Sequence, residues 1–285
     1  MFEKKIALES TVIAHGLPKP ININVALELE EIARQNGCIP YTIGIIDGQI
    51  KVGLSEKEIV EIGTKEDVMK VGTSEIAVAV ALKRSAATTV SATMRIAYSH
   101  GIKVFATGGI GGVHSTEHWD VSQDLMELAR TRMVVVSAGP KSILDLKSTV
   151  EMLETLQITV LGYKTDRLPA FYCKSTDLSL TKVESPEQIA SIFFYKERLN
   201  LPGALLIFNP ISDEYAISQE DFEKWQKLAQ EDLEKSSVKG KGVTPFLLSR
   251  LAYYSNGKTV QSNIELLKSN VRLACDIVSQ LSKMQ

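Results

Sequence analysis

The sequence predicts an α/β protein: three layers, α/β/α, around a mostly parallel central sheet, in a single domain covering residues 1–285. Two observations carry that prediction. Short apolar runs rich in β-branched residues alternate with segments of helical apolar spacing, and the C-terminal third turns wholly helical. No internal repeat of roughly 20–50 residues interrupts the pattern, which excludes a solenoid or propeller.

In chain order, Lys5-Ile-Ala-Leu8 is a short first strand, ended by a polar segment and Gly16-Leu-Pro18. Residues 23–36 set Val25, Leu27, Leu29, Ile32 and Ala33 near helical spacing, with Gly37 as the C-cap. Residues 41–46 and 49–52 flank Asp47-Gly48, the signal of a β-hairpin. Ser55-Glu-Lys-Glu58 opens a helix with a capping box. The alanine-rich stretch 74–83 reads as a helix, 88–90 as a short strand or strand end, 94–100 as a helix and 103–107 as a strand leading into the glycine loop 108–112. Strands 133–136 and 158–162 flank a helix over 141–156. A last strand, 204–208, ends at Asn209-Pro210, and helices follow over 218–235, 245–255 and from 262 onward. The basic, Gly/Ser-rich stretch 235–242 reads as a mobile loop, because the helices after it are too few to bury a core alone.

Composition excludes several classes. Hydrophobic residues make up 44% and charged residues 23%, the balance of a globular protein. With a formal net charge of −2 and no block of like charges, nothing supports binding to a nucleic-acid polymer or a membrane surface. Cys38, Cys173 and Cys275 lie far apart without a CxxC or Cys/His pairing, which argues against a disulfide frame or structural zinc and for reduced thiols in the cytoplasm. The N-terminus has no long apolar segment after its basic residues, so it does not read as a signal peptide. No run approaches the roughly 18 apolar residues of a membrane span.

Six constellations could carry chemistry. Lys141 follows the apolar run 133–136 and Ser-Ala-Gly-Pro, at the mouth of a strand and the expected start of a helix. Strand ends are where α/β sites are built, and a partly desolvated lysine near a helix N-terminus becomes a nucleophile toward carbonyl-level carbon. Glu9 directly follows the first strand, where an apolar pocket would raise its pKa and suit it to general acid work. Lys70 adjoins Gly72-Thr-Ser74, a cation beside a hydroxyl-bearing helix start, which suits a phosphate and equally makes Thr73 or Ser74 an N-cap. Thr88–Met94 combines small residues and hydroxyls that permit close ligand approach or close helix packing. The loop 108–112 has four glycines in five positions, with amides able to face an anion; it does not open a helix as a dinucleotide fingerprint must. Finally His114, His118, Asp120 and Asp124 could hold a divalent cation, oxygen ligation favouring Mg²⁺ or Mn²⁺ over zinc, or the two aspartates could simply complement a helix dipole.

Taken together and in order, ALESTVIAHGLPKP, the Lys70 segment, AATTVSATM, FATGGIGGVH, DVSQDLMELART, SAGPKSILD, GYKTDRLPAFY, NPI, VTPFLL and SNIELLKSN resemble the pseudouridine-5′-phosphate glycosidase family, also called indigoidine-synthase-A-like. The resemblance runs from Ala7 to about Ala274. It implies a homotrimeric α/β/α enzyme with one Mn²⁺ per subunit, of lyase type. Its reaction is the reversible cleavage of pseudouridine 5′-phosphate to uracil and ribose 5-phosphate.

The resemblance assigns Lys141 as the nucleophile and Glu9 as the proton donor. It places Lys70, Thr89, Val90, Thr107, Ser122, Gln123 and Asp124 at substrate-binding positions and Asp120 at the manganese. His114 corresponds to a histidine near the base, with His118 the alternative, and Asn263 to a C-terminal asparagine in the site, with Asn270 the alternative. Three departures touch base recognition rather than reaction class: Gln123 stands where a small residue is usual, Pro140 where alanine is common, and the loop between His114 and Asp120 is two residues short. A Schiff-base aldolase on another sugar phosphate is the alternative activity, and a silent sugar-phosphate-binding protein the non-enzymatic one.

Overall fold

Alternate residues of the central strands face opposite helical layers, which is the period-2 pattern of a sheet covered on both sides. The computed structural model describes residues 3–114, 120–238 and 240–284. Its first half comprises β1 (Lys5–Leu8), α1 (Ile21–Gln35), β2 (Ile39–Ile46), β3 (Gln49–Val52), α2 (Glu56–Thr64), β4 (Met69–Val71), α3 (Ile76–Ala81), β5 (Ala86–Thr88), α4 (Val90–Ser99) and β6 (Val104–Ala106). The second comprises α5 (Gln123–Arg130), β7 (Val134–Ser137), α6 (Leu146–Thr155), β8 (Thr159–Tyr163), β9 (Thr181–Val183), α7 (Pro186–Arg198), β10 (Leu205–Phe208), α8 (Gln219–Glu234), α9 (Val243–Tyr254) and α10 (Lys258–Leu281).

Ile6, Leu8, Val104, Ala106, Val134, Val136, Leu205 and Ile207 pack against α1, α7 and α10. Their strand neighbours Ala7, Phe105, Val135 and Leu206 pack against α4, α5 and α6. Each large side chain so buried stabilises the fold by about 1.5–3 kcal/mol relative to leaving it in water. The three-layer α/β/α expectation is therefore met. No helix among the described residues is long and apolar enough to cross a membrane.

The sheet order is β4-β5-β2-β1-β6-β7-β10-β8-β9, with β3 also on β2. From β2 to β9 the strands are parallel, whereas β3 and β5 run antiparallel to β2 and β4 is parallel to β5. The hairpin at Asp47-Gly48 and the Ser55/Glu58 capping box form as expected: Ser55 N–H donates to Glu58 at 2.8 Å, and Glu58 N–H to Ser55 Oγ at 3.4 Å.

Several boundaries move. The helix expected over 141–156 begins only at Leu146, with Asp145 accepting the Ser148 N–H at 3.0 Å as N-cap. Lys141 therefore sits in the turn between strand and helix, and no helix terminus acts on it directly. The expected strand at 88–90 is β5, two residues earlier, and Val90 already opens α4. The sequence reading lacks β4, β9, α7 and a single π-helical turn over Val12–Gly16. His118 and Lys239, the latter within the stretch read as a mobile loop, lie outside the described residues.

Candidate active site

Because β5 runs against β2 and β2 runs with β1, the carboxyl ends of β1 and β5 meet head to head. Ser10, two residues past β1, accepts the backbone N–H of Thr88, the last residue of β5, at 2.9 Å. The strands either side obey the same geometry, so residues following β1, β6 and β7 face residues of β4 and β5 across one crevice. Ligands in open α/β sheets bind outside the carboxyl ends of strands.

A cavity of about 260 Å³ occupies that crevice. Its wall includes Glu9, Lys70, Thr89, Val90, His114, Asp120, Ser122, Gln123, Asp124 and Lys141, ten of the twelve residues expected from sequence. The two others adjoin it. Thr107, after β6, donates its hydroxyl to Glu9 Oε1, and Asn263 on α10 lines a second cavity that shares Glu9, Lys70 and Lys141 with the first.

Glu9 is positioned by β1 and held by Thr107, itself held through the Asn270 amide donating to the Thr107 carbonyl at 2.7 Å. Burial raises the Glu9 pKa above the ordinary carboxyl value; Lys141, the Thr107 hydroxyl and Lys70 oppose that rise without cancelling it, and Asp124 reinforces it. A buried carboxyl whose protonated form is favoured, beside a lysine, suits a general acid.

Lys141 is fixed by a turn anchored on both sides. Its N–H donates to the Ile110 carbonyl at 3.1 Å, and next to it the Ser142 hydroxyl donates to the Ala170 carbonyl while accepting the Tyr172 N–H at 3.2 Å. Gly139 permits that turn. Its φ is +112°, and a Cβ there would lie 2.0 Å from the Pro169 carbonyl oxygen.

The N-termini of α4 and α5 converge on the same cavity. Ser122 caps α5 by accepting the Asp124 N–H at 3.2 Å. Asp124 is buried, and its two oxygens accept the Ser91 N–H of α4 and the Gly111 N–H, both at 2.9 Å. Its carboxylate is thus a brace between two helix termini. Burial, with Lys141 and Lys70 nearby, keeps His114 below the usual imidazole range against the pull of Asp120.

Two backbone readings change. Two amides of the glycine loop are spent within the protein and do not lie open to an anion: Ile110 N–H donates to Gly139 O at 3.2 Å and Gly111 N–H to Asp124. The glycines serve close packing, since a Cβ on Gly109 would meet the Phe171 ring at 2.5 Å and one on Gly112 the Thr149 hydroxyl at 2.4 Å. Beside Lys70, Thr73 and Ser74 do not act as N-cap side chains for α3; the Thr73 hydroxyl donates to Glu127 at 3.0 Å.

The second cavity adds Thr11 and His15, which the sequence did not single out, to Asn263, which it did. Thr11 Oγ1, His15 Nε2 and Asn263 Oδ1 are buried without a hydrogen-bond partner among the described residues, and all three residues line it. Leaving such atoms unmet costs about 1–3 kcal/mol each, so a polar ligand edge is the natural complement. Asn270, the alternative to Asn263, is spent structurally between Asn209 and Thr107. Thr11 and His15 are carried by the π-helical turn, whose local sequence gives no periodic signal. No group of three or more His, Cys, Asp or Glu gathers among the described residues.

Residues 3–280 match the family model described as indigoidine synthase A like protein. The chain is 71% identical to a pseudouridine-5′-phosphate glycosidase of Pseudothermotoga lettingae, over 99% of this chain and 100% of that protein. It is 53% identical to the one of Kosmotoga olearia, over 98% and 96%. Among solved structures, an indigoidine synthase A-like protein from Thermotoga maritima superposes with a TM-score of 0.91 at 40% identity, covering 98% of this chain and 93% of that one. The prealnumycin C-glycosynthase AlnA in complex with ribulose 5-phosphate superposes with a TM-score of 0.89 at 34% identity, covering 99% and 93%.

Proposed function

We propose that this chain, which belongs to the indigoidine synthase A-like family, cleaves pseudouridine 5′-phosphate reversibly to uracil and ribose 5-phosphate through an imine on Lys141. One observation carries the reading: a lysine after β7 and a buried carboxyl after β1 share two joined cavities, one walled by helix N-termini and Lys70, the other by unmet polar atoms. A relative of the same fold at 34% identity holds ribulose 5-phosphate, an open-chain pentose phosphate, which supports a pentose phosphate as the ligand class.

The bond to be broken joins C1′ to a ring carbon of the base, so there is no leaving nitrogen or oxygen to protonate first. In the proposed sequence the Lys141 Nζ lone pair bonds to C1′ while the C1′–O4′ bond breaks and Glu9 delivers its proton to O4′. The Glu9 carboxylate then takes a proton from the alkylated ammonium. The nitrogen lone pair next forms C=N as the C1′–C5 bond breaks; its electron pair stays on C5 of the base, which receives the proton from Glu9. Water hydrolyses the imine and restores Lys141.

In this reading Thr11, His15 and Asn263 meet the N–H and carbonyl edges of the base, and His114, which the resemblance sets near the base, is assigned instead to the sugar side because it lines the first cavity. Burial, with Lys70 and Lys19 nearby, keeps His15 below the usual imidazole range, which favours its neutral form. Lys70, with the first-turn amides of α4 and α5, serves the phosphate. The Asp120 carboxylate, on the cavity wall, is the oxygen donor that would hold a manganese ion, which when bound supplies positive charge beside the phosphate. A cytoplasmic homotrimer is the working form proposed here; exposed Val78 and Leu82, one turn apart at α3, offer an apolar contact.

Uracil release from pseudouridine 5′-phosphate tests the reaction. Borohydride with ribose 5-phosphate should add the reduced sugar to a peptide containing Lys141. An adduct on another lysine would overturn the assignment. An aldolase on other sugar phosphates would instead give no uracil.

A further inference from the structure

We infer that Gln123 is a positioning residue for the anion side of the site, acting through its carboxamide on the turn that follows Lys70. The inference rests on the proposed function for the identity of the anion, and on geometry for the rest. Gln123 Oε1 accepts the Ser74 N–H at 3.0 Å, and Nε2 donates to both Glu75 oxygens at 3.3 Å. Glu75 in turn accepts the Gly72 N–H at 2.9 Å. The one side chain that offers a donor and an acceptor on the same rigid plane thus meets an amide and a carboxylate, the two groups this turn presents.

Gly72 shows how closely the carboxamide is seated. A Cβ on it would lie 2.8 Å from Gln123 Oε1 and 2.9 Å from Cδ. Its backbone, with φ −92° and ψ −173°, is one that any residue adopts, so glycine is required there for space and not for conformation. The carboxamide lies on the backbone two residues after Lys70, and its own main chain opens α5. It therefore sets the separation between Lys70 and the Ser122–Gln123 edge, the two sides of the cavity between which a phosphate would sit.

This explains why a long polar residue can occupy a position where the resemblance leads one to expect a small one. The Gln123 carboxamide is bonded to the protein, at Ser74 and Glu75. An anion cradle loses affinity when its walls shift, while bond-making at Lys141 does not depend on that spacing.

Gln123→Met keeps the length and removes all three hydrogen bonds. We expect its KM for pseudouridine 5′-phosphate to rise about tenfold with kcat within about twofold, and its Kd for inorganic phosphate by calorimetry to rise by the same factor. The change should be far smaller with unphosphorylated pseudouridine. Gly72→Ala should weaken phosphate binding in the wild-type background, and less in Gln123→Ala, where the carboxamide is gone. Unchanged phosphate binding in Gln123→Met, or equal losses with both substrates, overturns the inference. A wild-type enzyme that binds phosphate but releases no uracil overturns the proposed reaction alone, because the phosphate titration still reads the effect of Gln123.

Discussion

The hydroxyl of Thr107 donates to Oε1 of Glu9 across the carboxyl ends of β6 and β1. That bond stabilises the ionised carboxylate, so it lowers a pKa that burial raises more strongly. Thr107→Val removes the opposing influence and leaves burial in place. If Glu9 is the general acid, the limb of the kcat/KM–pH profile that loses activity on its ionisation should move to higher pH. A profile that keeps the wild-type limb would separate Thr107 from the acid.

Glu9→Gln should cost about 10²–10⁴-fold in kcat, the usual contribution of one positioned proton donor. The same change should stabilise the fold. Glu9 has a folded pKa raised above its unfolded value of about 4.5, so the folded state binds the extra proton and stability falls as pH rises from that value through the raised one. Glutamine cannot ionise, and the loss disappears. Chemical denaturation of both proteins at pH 4 and pH 8 checks this: the variant should gain relative to wild type at pH 8, with little difference at pH 4.

Lys70 adds charge to substrate and transition state alike, so Lys70→Ala should act mainly on KM. A charge-assisted contact is worth about 2–3 kcal/mol, or roughly 30- to 150-fold in kcat/KM. With unphosphorylated pseudouridine the penalty should shrink greatly. Equal penalties on both substrates would place Lys70 on the ribose or in the structure.

Asp120→Asn tests the manganese. Holding by one carboxylate implies modest affinity, so EDTA should remove the ion reversibly. Titration of Mn²⁺ followed by its paramagnetic resonance signal should give weaker binding in the variant. Identical titrations for variant and wild type would remove Asp120 from the metal.

The alternation of strand and helix was legible because burial on both sheet faces writes long apolar runs, as in Val134–Val136 and Leu205–Phe208. What escaped is physically different in kind. β9 is an edge strand with only Val183 buried, so it shows no apolar run, and β4 is three residues long. α7 did carry a start signal, Ser185-Pro186, with Ser185 accepting the Gln188 N–H at 3.4 Å, but its bulky apolar residues mask the period. Site residues were legible one by one through the resemblance. Their uses were not: whether Asp124 and Gln123 face substrate or protein depends on partners at Ser91, Gly111 and Ser74, distant in sequence and brought near by the sheet.

Gly139 gives the last expectation, because it links backbone strain to catalysis. Alanine there would be held at φ +112°, where L-residues are strained, with its Cβ driven into the Pro169 carbonyl oxygen at 2.0 Å. Neither the strain nor the overlap can relax alone, since the flanking Ala138 N–H donates to Gly108 O at 2.9 Å and Ile110 N–H to Gly139 O at 3.2 Å. The combined cost should be about 3 kcal/mol or more. Relaxation must move the Pro140–Lys141 turn, so the variant should lose kcat by more than its folded fraction accounts for. Thermal unfolding and active-site trapping with ribose 5-phosphate, measured on the same preparation, distinguish the two effects. A variant with wild-type trapping and a lowered Tm would confine Gly139 to folding, whereas slowed trapping in fully folded protein ties the placement of Lys141 to that single absent side chain.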